Sequence, residues 1–180
     1  QVWSDDNGAF IQDRDGNVAG FDHVVMACHA DQSLRLLKLP TPLEQDLLSS
    51  FNYQDNKAVL HTDINLMPKN KGAWSSWNYL SEKNGTQNDV CVTYWMNRLQ
   101  NLNTETDYFV TLNPGKMPKE GAVLRSFIYQ HPIFDTKSMN AQKSLWNLQG
   151  NKRLWFCGSY FGSGFHEDGL QSGLAVAEKL

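Results

Sequence analysis

The residues with the most chemistry per unit length lie near the end of the chain. Gly158-Ser159 leads into Tyr160-Phe161-Gly162-Ser163-Gly164-Phe165, and then into His166-Glu167-Asp168-Gly169-Leu170. Three titratable side chains thus stand in a row, directly before Leu170, Gly173, Leu174 and Ala177, which recur at helical spacing. Consecutive His, Glu and Asp are residue types that give and take protons. At a helix start, Glu and Asp also cap free N–H groups and complement the positive dipole end. Asp168 suits either role, N-cap or acid/base group. The glycines let backbone approach a ligand closely, and a helix N-terminus offers N–H donors to acceptor atoms.

Other candidates are sparser. His61 and Asp63 share one face of a strand-like run, as a metal-binding pair or as a cross-strand polar pair, with no third ligand near in sequence. His29 follows an apolar run, at the end of a strand where ligands gather in open α/β sheets; a hydrogen-bonded loop residue is the simpler reading. The chain has no Gly-x-Ser-x-Gly elbow, no Cys-x-x-Cys and no His-Glu-x-x-His, which weakens hydrolase, dithiol and zinc readings. Nor does it have a Gly-x-Gly-x-x-Gly dinucleotide turn: Gly162-Ser163-Gly164 lacks the third glycine at the required offset.

Elements must hold these residues in place. A hairpin is expected over 2–21, with Asp13-Arg14-Asp15-Gly16 as its turn. The run 22–28 is apolar almost throughout, as in a strand buried on both faces of a parallel sheet. Asp31 is a candidate N-cap for a helix over 32–37. Thr41-Pro42-Leu43-Glu44 spells a capping box with Pro in the first turn, for a helix to about Ser49 that buries Leu43, Leu47 and Leu48. Strands follow at 57–63, around Trp74, Trp77 and Tyr79, and at 89–95, 107–112 and 123–129, the last ended by His131-Pro132. Turns are expected at 69–72 and at Asn84-Gly85, and 96–102 is a short helix or a wide loop. A helix over 138–148 has Ser138 or Asn140 as cap, Leu145 and Leu148 inward and Gly150 as stop. A strand then ends at Cys157-Gly158, before the loop and the last helix.

The 180 residues are 41% hydrophobic, enough for an ordinary core. A net charge of -3 offers no basic patch, so nucleic acid is not an expected partner. No apolar run is long enough for a membrane span. Cys28, Cys91 and Cys157 lie far apart in apolar runs, as reduced thiols of a cytoplasmic protein do.

The closing stretch resembles the C-terminal flavin-binding segment of the FAD-dependent amine oxidase superfamily. Gly164, Phe165, Glu167, Ser172 and Gly173 match that segment in order, and Cys157-Gly158 stands for its Ala-Gly. Asp168-Gly169 departs from it, replacing a Gly-Ala pair. The wording is closer to a bacterial subgroup described as predicted NAD/FAD-binding proteins. The early hairpin followed by Asp22-His23-Val24-Val25-Met26-Ala27 is a second, independent likeness. The resemblance implies an α/β (α+β) fold: a mixed, largely antiparallel substrate-domain sheet plus the C-terminal part of a Rossmann-like FAD-binding domain. It implies segments at 1–37 (hairpin and strand of the FAD domain), 38–150 (substrate-type domain) and 151–180 (closing strand, loop and helix). FAD is the implied cofactor, facing Gly158, Ser159, Gly164, Phe165, Asp168, Gly169, Leu170 and Gly173, with the Gly169 and Leu170 amides at the flavin's pyrimidine edge. Phe165, Trp74, Trp77 and Tyr129 are implied to line the cavity for a small-molecule substrate, an amine or a fatty-acyl-like chain. The dinucleotide fingerprint is then expected in a missing N-terminal half of the same protein. A non-catalytic binding domain of the same fold is the alternative.

Overall fold

The computed structural model describes the backbone of residues 1–84 and 87–180, with side chains described at 1–79 and 91–180. It divides into two compact units, one of residues 1–54 with 131–180 and one of residues 55–130.

The first unit opens with strands β1 (Val2–Asp5), β2 (Gly8–Gln12) and β3 (Val18–Phe21) in an antiparallel sheet of that order. The expected hairpin is therefore a three-stranded meander. Both turns are closed by aspartates. The Asp13 carboxylate accepts from the Asp15 and Asn17 amides (2.9 Å each), ahead of Gly16 at φ +89°. The Asp5 carboxylate does the same for Asn7 (2.8 Å) and Gly8 (3.2 Å), making the first turn that sequence reading passed over.

Strand β4 (Val24–Met26) and helix α1 (Ala30–Leu36) follow. The N-cap is His29, not Asp31. A distant residue decides this: the His29 ring stacks on Tyr53 (4.3 Å, 7° between planes), and the Tyr53 hydroxyl accepts the first-turn N–H of Ala30 (2.9 Å). Asp31 then sits inside the helix and pairs with Arg35 one turn on. Helix α2 (Pro42–Leu48) has the expected box: Thr41 Oγ1 accepts from the Glu44 amide (3.2 Å), and the Thr41 amide donates to the Glu44 carboxylate (2.6 Å). Leu47 and Leu48 face the core, whereas Leu43 points outward.

The second unit is built on β5 (Asn52–His61), β6 (Trp77–Asn84), β7 (Gln87–Trp95), helix α3 (Met96–Leu99), β8 (Phe109–Leu112) and β9 (Val123–Ile133). Its sheet has the order β6-β7-β8-β5-β9, with antiparallel pairs from β6 through β5. The turn expected at Asn84-Gly85 lies outside the described residues. β9 runs on through His131-Pro132 instead of stopping there. It is an edge strand, and proline's missing N–H costs nothing on an open edge.

The chain returns to the first unit with α4 (Thr136–Gln142), β10 (Leu154–Phe156) and α5 (His166–Ala177). Asp135 caps α4, in place of Ser138 or Asn140: its carboxylate accepts from the Ser138 amide (2.8 Å), and its own amide donates to Ser138 Oγ (2.9 Å). The helix stops at Gln142, and Leu145–Leu148 form a separate 3-10 turn that buries both leucines. Gly150, at φ +72°, ends it under the Trp155 ring.

β10 runs parallel to β4, with Leu154, Trp155 and Phe156 beside Val24, Val25 and Met26. One core cluster joins Val24, Met26 and Phe156 to Leu47, Leu48, Phe51, Ala141, Leu145 and Leu148. Each valine, leucine, methionine or phenylalanine of this cluster, fully buried, contributes roughly 1.5–3 kcal/mol. This packing cuts the chain differently from the expected 1–37, 38–150 and 151–180. α2, α4 and the 3-10 turn belong with the parallel strands, and the second unit is correspondingly smaller. The fold is mixed α/β with antiparallel sheets, as expected. Among the described residues no helix is long and apolar enough to cross a membrane.

Candidate functional site

β10 ends at Cys157-Gly158, and Gly158 takes φ +153°. A Cβ there would lie 2.8 Å from the Tyr160 ring, so only glycine passes this point without displacing the tyrosine. Gly158 is tied to α5: its amide donates to Ser172 Oγ (3.0 Å), and the Ser172 hydroxyl lies 3.2 Å from its carbonyl. The loop 159–165 turns back on itself through the Gly164 amide, which donates to Ser159 O (3.1 Å). Gly164 is at φ +92° against the Phe134 ring.

Asp168 is not the N-cap of α5; Phe165 holds that position. From the third helical residue Asp168 reaches backward. One carboxylate oxygen accepts from the Ser163 (3.0 Å) and Phe165 (2.8 Å) amides, while the other packs against Gly162. Glu167 is held by Gln171, whose amide donates to it (2.7 Å). His166, Glu167 and Asp168 therefore do not converge as an acid/base cluster. Two of the three are structural latches.

The geometry moves the free donors. The Gly169 amide, expected to face a ligand, donates to Phe165 O (3.3 Å), and the i to i−4 rule places the Leu170 amide in the helix interior too. The amides without an acceptor among the described residues are those of His166, Glu167 and Asp168, at the positive end of a 12-residue helix. Around them Phe165 (68% exposed) and Leu170 (56% exposed) stand outward. A Cβ on Gly173 would meet nothing within 4 Å. The inward face of α5 is carried by Ser172 and Val176 instead. A depression of about 310 Å³ lies against Phe161, Gly162, Asp168 and Ser172.

At the carboxyl end of β4 the structure gathers groups that sequence spacing did not connect. Cys28 Sγ is 3.3 Å from Ser33 Oγ, and Tyr160 is buried edge-on to Phe51. Burial pushes the Tyr53 hydroxyl up to about 12, against the opposing hydrogen bond from Ala30. Burial pushes Tyr160 higher still, so both are neutral phenols. The Tyr160 hydroxyl, His29 Nδ1 and Asp31 Oδ1 are buried atoms with no hydrogen-bond partner among the described residues. Tyr53 stands 24 residues after His29, with no local motif to mark it.

In the second unit the expected cavity residues fall on different sides. Trp74 is core: it packs edge-on to Trp95 (5.3 Å) and Phe109 (5.7 Å), and its indole N–H donates to Pro68 O (2.7 Å). Trp77 and Tyr129 are about half exposed, beside Tyr94 and Phe127 respectively. The buried sheet face carries three polar residues in register, Asn78, Thr93 and Thr111, continued on the next strand by the apolar Val59. His61 joins it. Its Nδ1 accepts from the Asp63 amide (3.1 Å), which puts the ring proton on Nε2, 2.7 Å from Thr111 Oγ1. Thr111 is in turn 2.9 Å from Thr93. His61 and Asp63 are thus a local side-chain–backbone pair, and among the described residues no group of three potential metal ligands occurs.

No family model and no curated protein matches the chain. Solved structures do. A CLA-producing fatty acid isomerase from P. acnes superposes with a TM-score of 0.65 at 12% identity, over 99% of this chain and 46% of its own. Reduced UDP-galactopyranose mutase gives 0.52 at 11% identity, over 84% of this chain and 39% of its own. The chain shares its fold with these two enzymes. It spans less than half the length of either similar structure. At these identities the likeness carries architecture alone, and the amine oxidase subgroup is not part of it.

Proposed function

We propose that this chain is the C-terminal part of an FAD-dependent oxidoreductase of the cytoplasm. The observation that carries the reading is the start of α5. Three backbone amides lack acceptors there among the described residues, while the Asp168 carboxylate is folded back onto the loop and Glu167 is held by Gln171. Such a donor set fits the acceptor edge of a flavin, where negative charge grows on reduction.

When bound, FAD supplies the acceptor for a hydride. The chain's own residues position and shield. Gly158 and Ser159 end the parallel strand beside the site, and Gly164, Phe165, Asp168 and Gly169 shape the loop and helix start. Leu170 and Gly173 keep an apolar, unobstructed helix surface. In the second unit, Trp77 and Tyr129 offer exposed aromatic surface for a small amine or a fatty-acyl-like chain, while Trp74 packs in the core on Trp95 and Phe109. The remaining dinucleotide contacts belong to an N-terminal half of the same protein.

The test is the visible spectrum of the full-length protein. Yellow absorbance of oxidised flavin that bleaches on adding substrate is expected. A colourless protein that cannot be reconstituted with FAD sinks the reading. The 180-residue chain alone should bind FAD weakly in a titration.

A further inference from the structure

The link between α1 and α2 carries the most exposed large apolar side chain among the described residues. Leu39 is 84% exposed, and Leu36 and Leu43 on either side of it are exposed as well. The link is pinned at both ends. Leu37 bridges Val2 of β1, and the Lys38 amide donates to Val2 O (2.8 Å). On the far side the Thr41 amide donates to the Glu44 carboxylate (2.6 Å). Leu39 precedes Pro40 and is confined to extended backbone, and Pro40 and Pro42 have fixed φ. Leu39 therefore has no short path back onto the core, where Leu37 and Leu47 already sit.

The charges around it are cationic. No Asp or Glu occurs from 32 to 43, whereas Arg35 and Lys38 do, in a chain of net charge -3. Asp31 pairs with Arg35, and Glu44 is buried within its capping box. Asp46, one turn past Leu43, is the first exposed acid. Lys38 Nζ lies 4.7 Å from the centre of the Trp3 ring, and Trp3 stacks on Phe10 (5.6 Å, 18° between planes).

Exposed leucines beside basic residues and a half-buried tryptophan are the make-up of a surface that enters the headgroup region of a bilayer. Lysine lays its stem along apolar surface while its ammonium reaches outward. We propose that the 36–43 link docks on an anionic lipid surface. Leu36, Leu39 and Leu43 enter the acyl boundary, and Lys38 meets lipid phosphates. Three leucines and two cations give reversible attachment, not insertion. A protein partner fits less well. A stable one covers about 800 Å² on each side, far more than one link offers, whereas a fluid surface admits single side chains. Nothing in this contact depends on FAD.

Flotation with vesicles tests this on the full-length protein and on the 180-residue chain. The probes are vesicles of phosphatidylcholine and of an equimolar mixture with phosphatidylglycerol. Both proteins should float with the mixed vesicles and less with the neutral ones. Leu39→Asp should lower the partition coefficient at least about tenfold, and Leu39→Phe should keep it. Lys38→Gln should lower it about fivefold on the mixed vesicles and leave the neutral ones unchanged. Ile64→Asp, at an exposed apolar site of the second unit, should change nothing. Since Leu39 is exposed, its variants should melt at the unsubstituted midpoint, which separates lost docking from lost folding. A full-length protein that does not float overturns the proposal even if the shorter chain floats, because the longer chain then covers the link itself. So does flotation that Leu39→Asp leaves intact, or that Ile64→Asp lowers as much. A colourless protein that floats keeps the lipid contact and loses the flavin. A yellow protein that does not float does the reverse.

Discussion

Ser172 Oγ accepts the Gly158 amide (3.0 Å), and its own proton has two acceptors in reach, Gly169 O (3.0 Å) and Gly158 O (3.2 Å). This one hydroxyl, 3% exposed, fastens α5 to the end of β10. Ser172→Ala leaves the Gly158 amide without its partner and should cost about 1–3 kcal/mol. The check is the midpoint of denaturant unfolding; an unchanged midpoint contradicts the latch.

The Asp168 carboxylate fills the space beside Gly162 and binds the Ser163 and Phe165 amides. Asp168→Ala should cost about 0.5–2 kcal/mol, as loss of a cap does. Gly162→Ala puts a methyl where the carboxylate sits and forces it off the same amides. The double variant should therefore lose less than the sum of the two, by about 0.5 kcal/mol or more. Strict additivity in the cycle would show that the two residues act independently.

His61 makes stability depend on pH. Burial lowers its pKa below the ordinary 6.5, against the opposing pull of Asp63. The folded chain thus binds fewer protons than the unfolded chain in this range. Its contribution is complete above about 6.5 and is lost as pH falls from there through the lowered value. His61→Gln should remove this window from a plot of unfolding free energy against pH. Asp63 adds a second one at lower pH. Burial raises its pKa, but hydrogen bonds from Lys119 and Asn65 outweigh that and hold it below 3.8, so its contribution is lost as pH falls below that point. The second window should survive in His61→Gln.

Leu43 and Leu48 lie on one short helix and should respond differently. Leu48 is wholly buried, and Leu48→Ala should cost about 2–5 kcal/mol through the cavity it leaves. Leu43 points outward, and Leu43→Ala should stay within about 0.5 kcal/mol. Thermal melts of the two variants separate the cases. Equal losses would refute the assignment of α2 to the core of the first unit.

What was legible in the sequence is what a few neighbouring residues settle among themselves. The Thr41–Glu44 box, the Asp13–Gly16 turn, the stop at Gly150 and the apolar strands at Val24 and Leu154 all rest on local hydrogen bonds and steric limits. A helix start after the closing loop was legible too, but its free amides are those of His166, Glu167 and Asp168 in place of the expected Gly169 and Leu170. The tertiary structure decided which of several locally acceptable outcomes prevailed. Tyr53 made His29 the cap, the edge position of β9 let it run through Pro132, and loop amides drew Asp168 back from the helix end. It also sent Trp74 inward and Trp77 outward, although both are aromatic and three residues apart. Composition and periodicity state that a side chain is apolar or can hydrogen-bond. Its partner comes from residues tens of positions away, and only the packed chain brings them within contact distance.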